Sequence, residues 1–163
     1  MCMPEVSRTR AGALAALEEE YRKTLLTVQD YADEEFEVPR SEGVMSPKDT
    51  FAHLAWWNWE APSGLQRIKR DEMPFWVHMD LDELNAGTLA ERKDWPMQQV
   101  MEDFRRSHTA LVAALEQVTD EEFSRVTTHK YRDGTLDGMV WFAFIYIEHY
   151  EEHRAHLGDN RTS

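Results

Sequence analysis

Cysteine is nearly absent from this chain of 163 residues; Cys2, at its start, stands alone. A single thiol forms neither a disulfide framework nor a cysteine-ligated zinc site within one copy, and a reducing cytoplasm is the expected compartment. Positive charge is scarce as well. Against 31 Asp and Glu there are only 18 Lys and Arg, a formal net charge of -13, which repels polyphosphate and anionic membrane surfaces. No nucleic-acid partner is expected. Long apolar runs are also missing: the longest, residues 139–147, is about half of what a helix needs to cross a bilayer. The apolar stretch 11–17 runs directly into Glu18-Glu19-Glu20, where a signal peptide would need a longer core and a cleavage site. Neither a membrane span nor an export signal is expected. No internal repeat or low-complexity tract is present, and the length suits a single domain over 1–163.

What the chain does have is helical periodicity. Leu14, Leu17, Tyr21, Leu25 and Val28 recur at steps of three and four, which predicts an amphipathic helix over 7–31. Residues 33–44 form a connection from which Phe36 and Val38 fold back onto the core. Ser46-Pro47-Lys48-Asp49 then supplies an N-cap serine, a first-turn proline and an acidic residue at the third position, so a second helix starts there. It continues through Leu54, Trp57 and Ala61, with a bend or break expected at Pro62-Ser63-Gly64. Residues 73–88 form a long excursion, a candidate lid or interface, with a short helix over 80–85 capped by Gly87. A third long helix begins after Asp94-Trp95-Pro96 and carries Val100, Phe104, Leu111, Val112 and Leu115 to about 118. Thr119-Asp120-Glu121-Glu122 caps a short turn. The last helix, capped by Thr135 or Asp137, ends near Leu157 before Gly158. Its segment 140–147 has strand-like composition, but the continuation into 148–157 favours helix. The fold class expected is all-α, an antiparallel four-helix bundle with its excursion between helices two and three. A last helix apolar nearly all round also suits a homodimer.

The histidines carry the chemistry. His149 and His153 are four residues apart, hence on one helical face and about 6 Å apart along the axis. Taken alone, that spacing also describes two solvated histidines at a charged helix end. Their stripe, however, continues that of Phe142, Ile145 and Tyr146, which points both inward. His53 lies in a similar setting, among Leu54, Trp56 and Trp57. Three inward imidazoles are hard to satisfy without an ion, although the Tyr146 hydroxyl could serve one of them. The zincin signature does not apply, because Tyr150 and not Glu follows His149. His156 shares the face and suits a pocket wall or a solvated end; His78, His108 and His129 suit structural or surface roles.

Two motifs, Ser46-Pro47-Lys48-Asp49-Thr50-Phe51-Ala52-His53-Leu54 and His149-Tyr150-Glu151-Glu152-His153, resemble those of the DinB/YfiT-like four-helix bundle superfamily of metal-dependent enzymes. Its members typically carry one histidine in helix two and an HxxxH pair in the last helix. Met101-Glu102-Asp103-Phe104-Arg105-Arg106-Ser107-His108, Leu115-Glu116, Glu121-Glu122-Phe123 and the segment from Tyr146 to Arg154 are similar to the branch that includes the colibactin self-resistance proteins. That branch often places Asn-Thr before the tyrosine of its last-helix motif, where this chain has Phe144-Ile145. The resemblance covers most of the chain and implies activities such as hydrolysis or thiol-dependent transfer.

Three neutral imidazoles would leave a divalent ion its full charge and an open position, the catalytic type of site. Zinc and nickel both suit such ligands. The expected metal ligands are therefore His53, His149 and His153, and the expected function is metal-dependent hydrolysis or thiol transfer on a small molecule, with a low-molecular-weight thiol as a possible cofactor. Glu60, seven residues after His53, is the candidate base or ligand-orienting group, and Glu152 a candidate to orient a ligand nitrogen. The competing expectation is a non-catalytic protein that sequesters a small molecule against Trp56, Trp57, Trp59 and Trp141. A third is a structural bundle acting through protein contacts alone.

Overall fold

A computed structural model describes residues 8–129 and 138–158, and among them every regular element is helical. The four long helices are α1 (Arg10–Thr27), α2 (Pro47–Lys69), α4 (Met97–Glu116) and α6 (Gly138–Gly158). Between α2 and α4 lies α3 (Leu81–Arg92), and α5 (Asp120–Phe123) precedes α6. Short 3-10 turns occupy Asp33–Glu37 and Phe75–His78. The long helices pack as a closed ring: α1 on α4, α4 on α2, α2 on α6 and α6 on α1. No described helix is long and apolar enough to cross a membrane.

Capping accounts for several of the boundaries. The Ser46 side chain accepts from the Asp49 amide at 3.1 Å, with Pro47 in the first turn, so α2 starts where that sequence predicts. Thr9 caps α1 by accepting from Gly12, which places that start inside the expected range. Thr119 and Glu122 form a reciprocal capping box around α5. The expected caps of α6, Thr135 and Asp137, lie outside the described residues, as does Cys2.

Several expectations are corrected. Val38 is exposed, while Phe36 is buried against Tyr31 as expected. Helix α3 does not stop at Gly87 but continues to Arg92. An interior glycine costs only about 1 kcal/mol relative to alanine, too little to end a helix whose Thr88 is buried and whose Leu84 and Leu89 pack on the core. Nor does α2 break at Pro62-Ser63-Gly64. Pro62 withholds an N–H from the Asn58 carbonyl, but the neighbouring glycine has a packing reason. A Cβ at Gly64 would stand 2.6 Å from two ring carbons of Phe142, so the absent side chain lets α6 approach α2. The segment 140–147 is helical, and its Val140, Trp141, Phe142, Ala143, Tyr146 and Ile147 are buried within the chain. Most of the apolar surface of α6 is thus covered without a second subunit.

Gly64→Ala is therefore expected to destabilise by about 1–3 kcal/mol through overpacking, less about 1 kcal/mol gained in helix propensity. Gly87→Ala, which meets no atom within 4 Å, should instead stabilise by up to about 1 kcal/mol. Urea unfolding of the two variants checks this opposite pair of signs.

Candidate metal centre

His53 lies in the second turn of α2, set in place by the Ser46 cap, with the Thr50 hydroxyl back-bonded to the Ser46 carbonyl at 2.9 Å. His149 and His153 lie one turn apart on α6, their ring centres 4.6 Å from each other. The His53 ring stands 4.8 Å from that of His149 and 4.6 Å from that of His153. One nitrogen from each of the three falls within 4.8 Å of the others, and His53 Nε2 faces His149 Nε2 at 2.9 Å. The three histidines singled out in the sequence are brought together.

The cluster fits a shared divalent ion. Two imidazole nitrogens on one tetrahedral zinc ion stand about 3.3 Å apart, between the shortest separation here and the 4.8 Å limit, so small ring rotations suffice. Two buried ring nitrogens, His53 Nδ1 and His153 Nδ1, have no hydrogen-bond partner among the described residues. Burial and then the nearby His153 depress the His53 pKa to about 3. Burial lowers that of His153 to about 4, partly opposed by the Glu152 carboxylate. His149 is pushed well below its ordinary value by burial and by both neighbours. All three are neutral near pH 7, the form that donates a lone pair to a metal.

The histidines open on a cavity of about 850 Å³. Trp57, Trp76, Trp141 and Phe144 supply its aromatic wall, and Glu148 and Glu152, both exposed, stand at its mouth. The excursion between α2 and α4 forms part of this wall through Trp76, Leu81 and Asn85. The Trp57 indole donates to Asn85 Oδ1 at 2.9 Å, and the Tyr146 hydroxyl donates to the Trp57 carbonyl at 2.7 Å instead of serving an imidazole.

Other expected residues fall elsewhere. Glu60 does not line the cavity, because seven residues carry it about 10 Å along α2 from His53. It is half-buried near Tyr146, and burial raises its pKa. Of the four tryptophans expected around a small molecule, Trp57 and Trp141 are on the wall. Trp56 packs edge-on against Trp57, and Trp59 is 40% exposed with its indole bonded to Asp103. Six residues of helix turn Trp59 about 240° from His53, whereas four return Trp57 to the same face. His156 meets His153 edge-on at 5.9 Å outside the cluster, His78 is exposed, and His129 bonds the Asp71 carbonyl.

A buried polar chain was not legible in the sequence, and it touches all four long helices. From α2, Asn58 donates to the Tyr150 hydroxyl of α6 at 2.7 Å. That hydroxyl lies 2.8 Å from His108 Nδ1 on α4, and His108 Nε2 lies 3.1 Å from a carboxylate oxygen of Glu18 on α1. Burial lowers the His108 pKa against the opposing pull of Glu18, and burial raises that of Tyr150. Tyrosine is therefore the donor to Nδ1, and Nε2–H the donor to Glu18. Tyr21 stacks on the His108 ring at 3.8 Å.

A family model described as the DinB superfamily matches residues 16–157. The chain belongs to the DinB superfamily. No curated protein matches it significantly. Among solved structures, it is similar to the colibactin self-resistance protein ClbS in complex with a dsDNA, with a TM-score of 0.72 at 11% identity over 93% of this chain and 94% of that one. An uncharacterised protein from Escherichia coli UTI89 gives 0.71 at 14% identity, over 93% and 92%. One from Clostridium difficile 630 gives 0.74 at 10% identity, over 96% and 95%. At such identities the likeness is one of fold.

Two outcomes follow for this DinB-superfamily protein. Between the ordinary histidine value of 6.5 and the folded values near 3 and 4, the unfolded chain binds more protons than the folded one. Stability without metal is thus fully present above about pH 6.5 and falls on acidification, by at most about 1.4 kcal/mol per pH unit for each histidine. Urea midpoints against pH in chelator should show this slope, and His53→Gln should flatten it. Tyr150→Phe should destabilise by about 1–3 kcal/mol, because it leaves His108 Nδ1 without its donor and Asn58 with only its 3.3 Å bond to Ser107; thermal unfolding measures it.

Proposed function

We propose that this protein is a metal-dependent enzyme acting on a small molecule by hydrolysis or thiol-dependent transfer, with His53, His149 and His153 holding a divalent ion. The observation that carries the reading is the convergence of three neutral imidazoles on the lining of an aromatic cavity. Bound there, zinc or nickel would keep its full charge and an open position, and so could acidify water, polarise a carbonyl or hold the thiolate of a low-molecular-weight thiol. The acid–base role expected of Glu60 is assigned instead to Glu152, which lines the cavity and acts electrostatically on His153. Trp57, Trp76 and Trp141 exclude water from the substrate side.

The helical ring is read as one domain, the antiparallel four-helix bundle, working in the cytoplasm. A homodimer remains compatible with the half-buried Phe144 and Ile145 on α6. ClbS is seen with dsDNA, but a net charge of -13 opposes the phosphate contacts that dominate DNA affinity. A small molecule is the better partner. The same aromatic cavity supports a second reading, sequestration of a toxic small molecule without turnover.

Elemental analysis of protein purified without a histidine tag should find about one divalent ion per chain. His53→Ala and His149→Ala should each abolish it. Metal content well below stoichiometry, or unchanged in both variants, overturns the assignment. Small-molecule binding that persists in chelator with no product formed in its absence would favour sequestration.

A further inference from the structure

The cavity wall has a shape of its own. Trp57 and Trp76 meet with their ring planes at 90° and centres 5.3 Å apart, and Trp141 stacks on Trp76 at 27° and 5.9 Å. The result is a right-angled aromatic corner, closed on one side by α6 and on the other by the excursion. A flat ring laid against one face of such a corner directs its edge at the other, so stacked and edge-to-face contacts form together. A saturated molecule of equal volume has no flat face to stack and gains less.

The corner is also held by hydrogen bonds. The Trp57 N–H is occupied by Asn85 and the Tyr146 hydroxyl by the Trp57 carbonyl, so the Trp57 side of the wall offers a ligand aromatic carbon, while the buried Trp76 Nε1 has no hydrogen-bond partner among the described residues. Polar chemistry gathers at the histidines and, at the exposed mouth, at Glu148 and Glu152. The volume of about 850 Å³ accommodates a drug-sized ligand.

We infer that the substrate is a planar aromatic or conjugated molecule, its flat body seated in the Trp57–Trp76–Trp141 corner and its reacting polar group directed at His53, His149 and His153. This specificity rests on the small-molecule reading above, yet the corner itself needs no ion. That separation allows the two ideas to be tested apart.

The test uses the full chain loaded with zinc, alongside His53→Ala, and follows tryptophan fluorescence during titration with three probes. Naphthalene-2-carboxamide is planar, its decahydro analogue is the same skeleton saturated, and 2-naphthohydroxamic acid adds a metal-chelating group. The planar amide should bind both proteins about ten-fold or more tightly over the saturated one. Trp76→Leu, a change outside the four long helices, should remove most of that preference while far-ultraviolet circular dichroism stays unchanged. The hydroxamate should outbind the amide on the zinc-loaded protein alone. Equal affinity for planar and saturated amides, or a preference untouched by Trp76→Leu in folded protein, overturns the inference. A planar preference with no hydroxamate advantage supports the corner and overturns the ion.

Discussion

The structure depends on the seam between α2 and α6. At one end Gly64 admits the Phe142 ring, and this close approach brings the two helices near enough for the polar contacts that follow along the interface. Tyr146 reaches the Trp57 carbonyl, Asn58 reaches Tyr150, and His53 meets His149 and His153. Each contact joins the same two helices. A helix rotated by one residue would turn every one of these side chains through about 100°, so packing at Phe142 and ligand geometry at His149 belong to one register.

Polarity along that seam is divided by depth. The inner chain through Asn58, Tyr150, His108 and Glu18 is paired at every link and ends at a half-exposed carboxylate, so its groups are buried at small net cost. The imidazole cluster is the opposite case. There His53 Nε2 meets His149 Nε2, and the buried Nδ1 atoms of His53 and His153 have no partner among the described residues, a condition that lowers stability unless something binds. Strain of this kind is kept where it serves a ligand. Arg154, paired with Glu20 beyond the cluster, ties the last turns of α6 to α1.

Legibility in the sequence extends to the elements whose signals are local. The Ser46-Pro47 cap, the Thr119 capping box and the stripe from Phe142 to His153 each depend on residues within a few turns, and the three histidines could be matched by helical phase. What it could not reach depends on contacts between distant segments. Trp76, Leu81 and Asn85 belong to the excursion, and their place on the cavity wall comes from its packing against distant segments, which no local spacing marks. The Glu18–His108 pair joins residues on different helices, and neither has a spacing that marks it. By residue type Gly64 and Gly87 both look like interruptions, whereas one makes room for a ring and the other is merely tolerated. Glu60 shared the correct face of α2 but lay too far along it.

The central claim is that His53, His149 and His153 bind one ion, and X-ray absorption at the metal edge of the purified protein tests it most directly. The account predicts three imidazole nitrogens at about 2.0–2.1 Å with the outer-shell scattering of their rings, and a remaining light-atom position. A first shell of oxygen alone, without imidazole scattering, would contradict it.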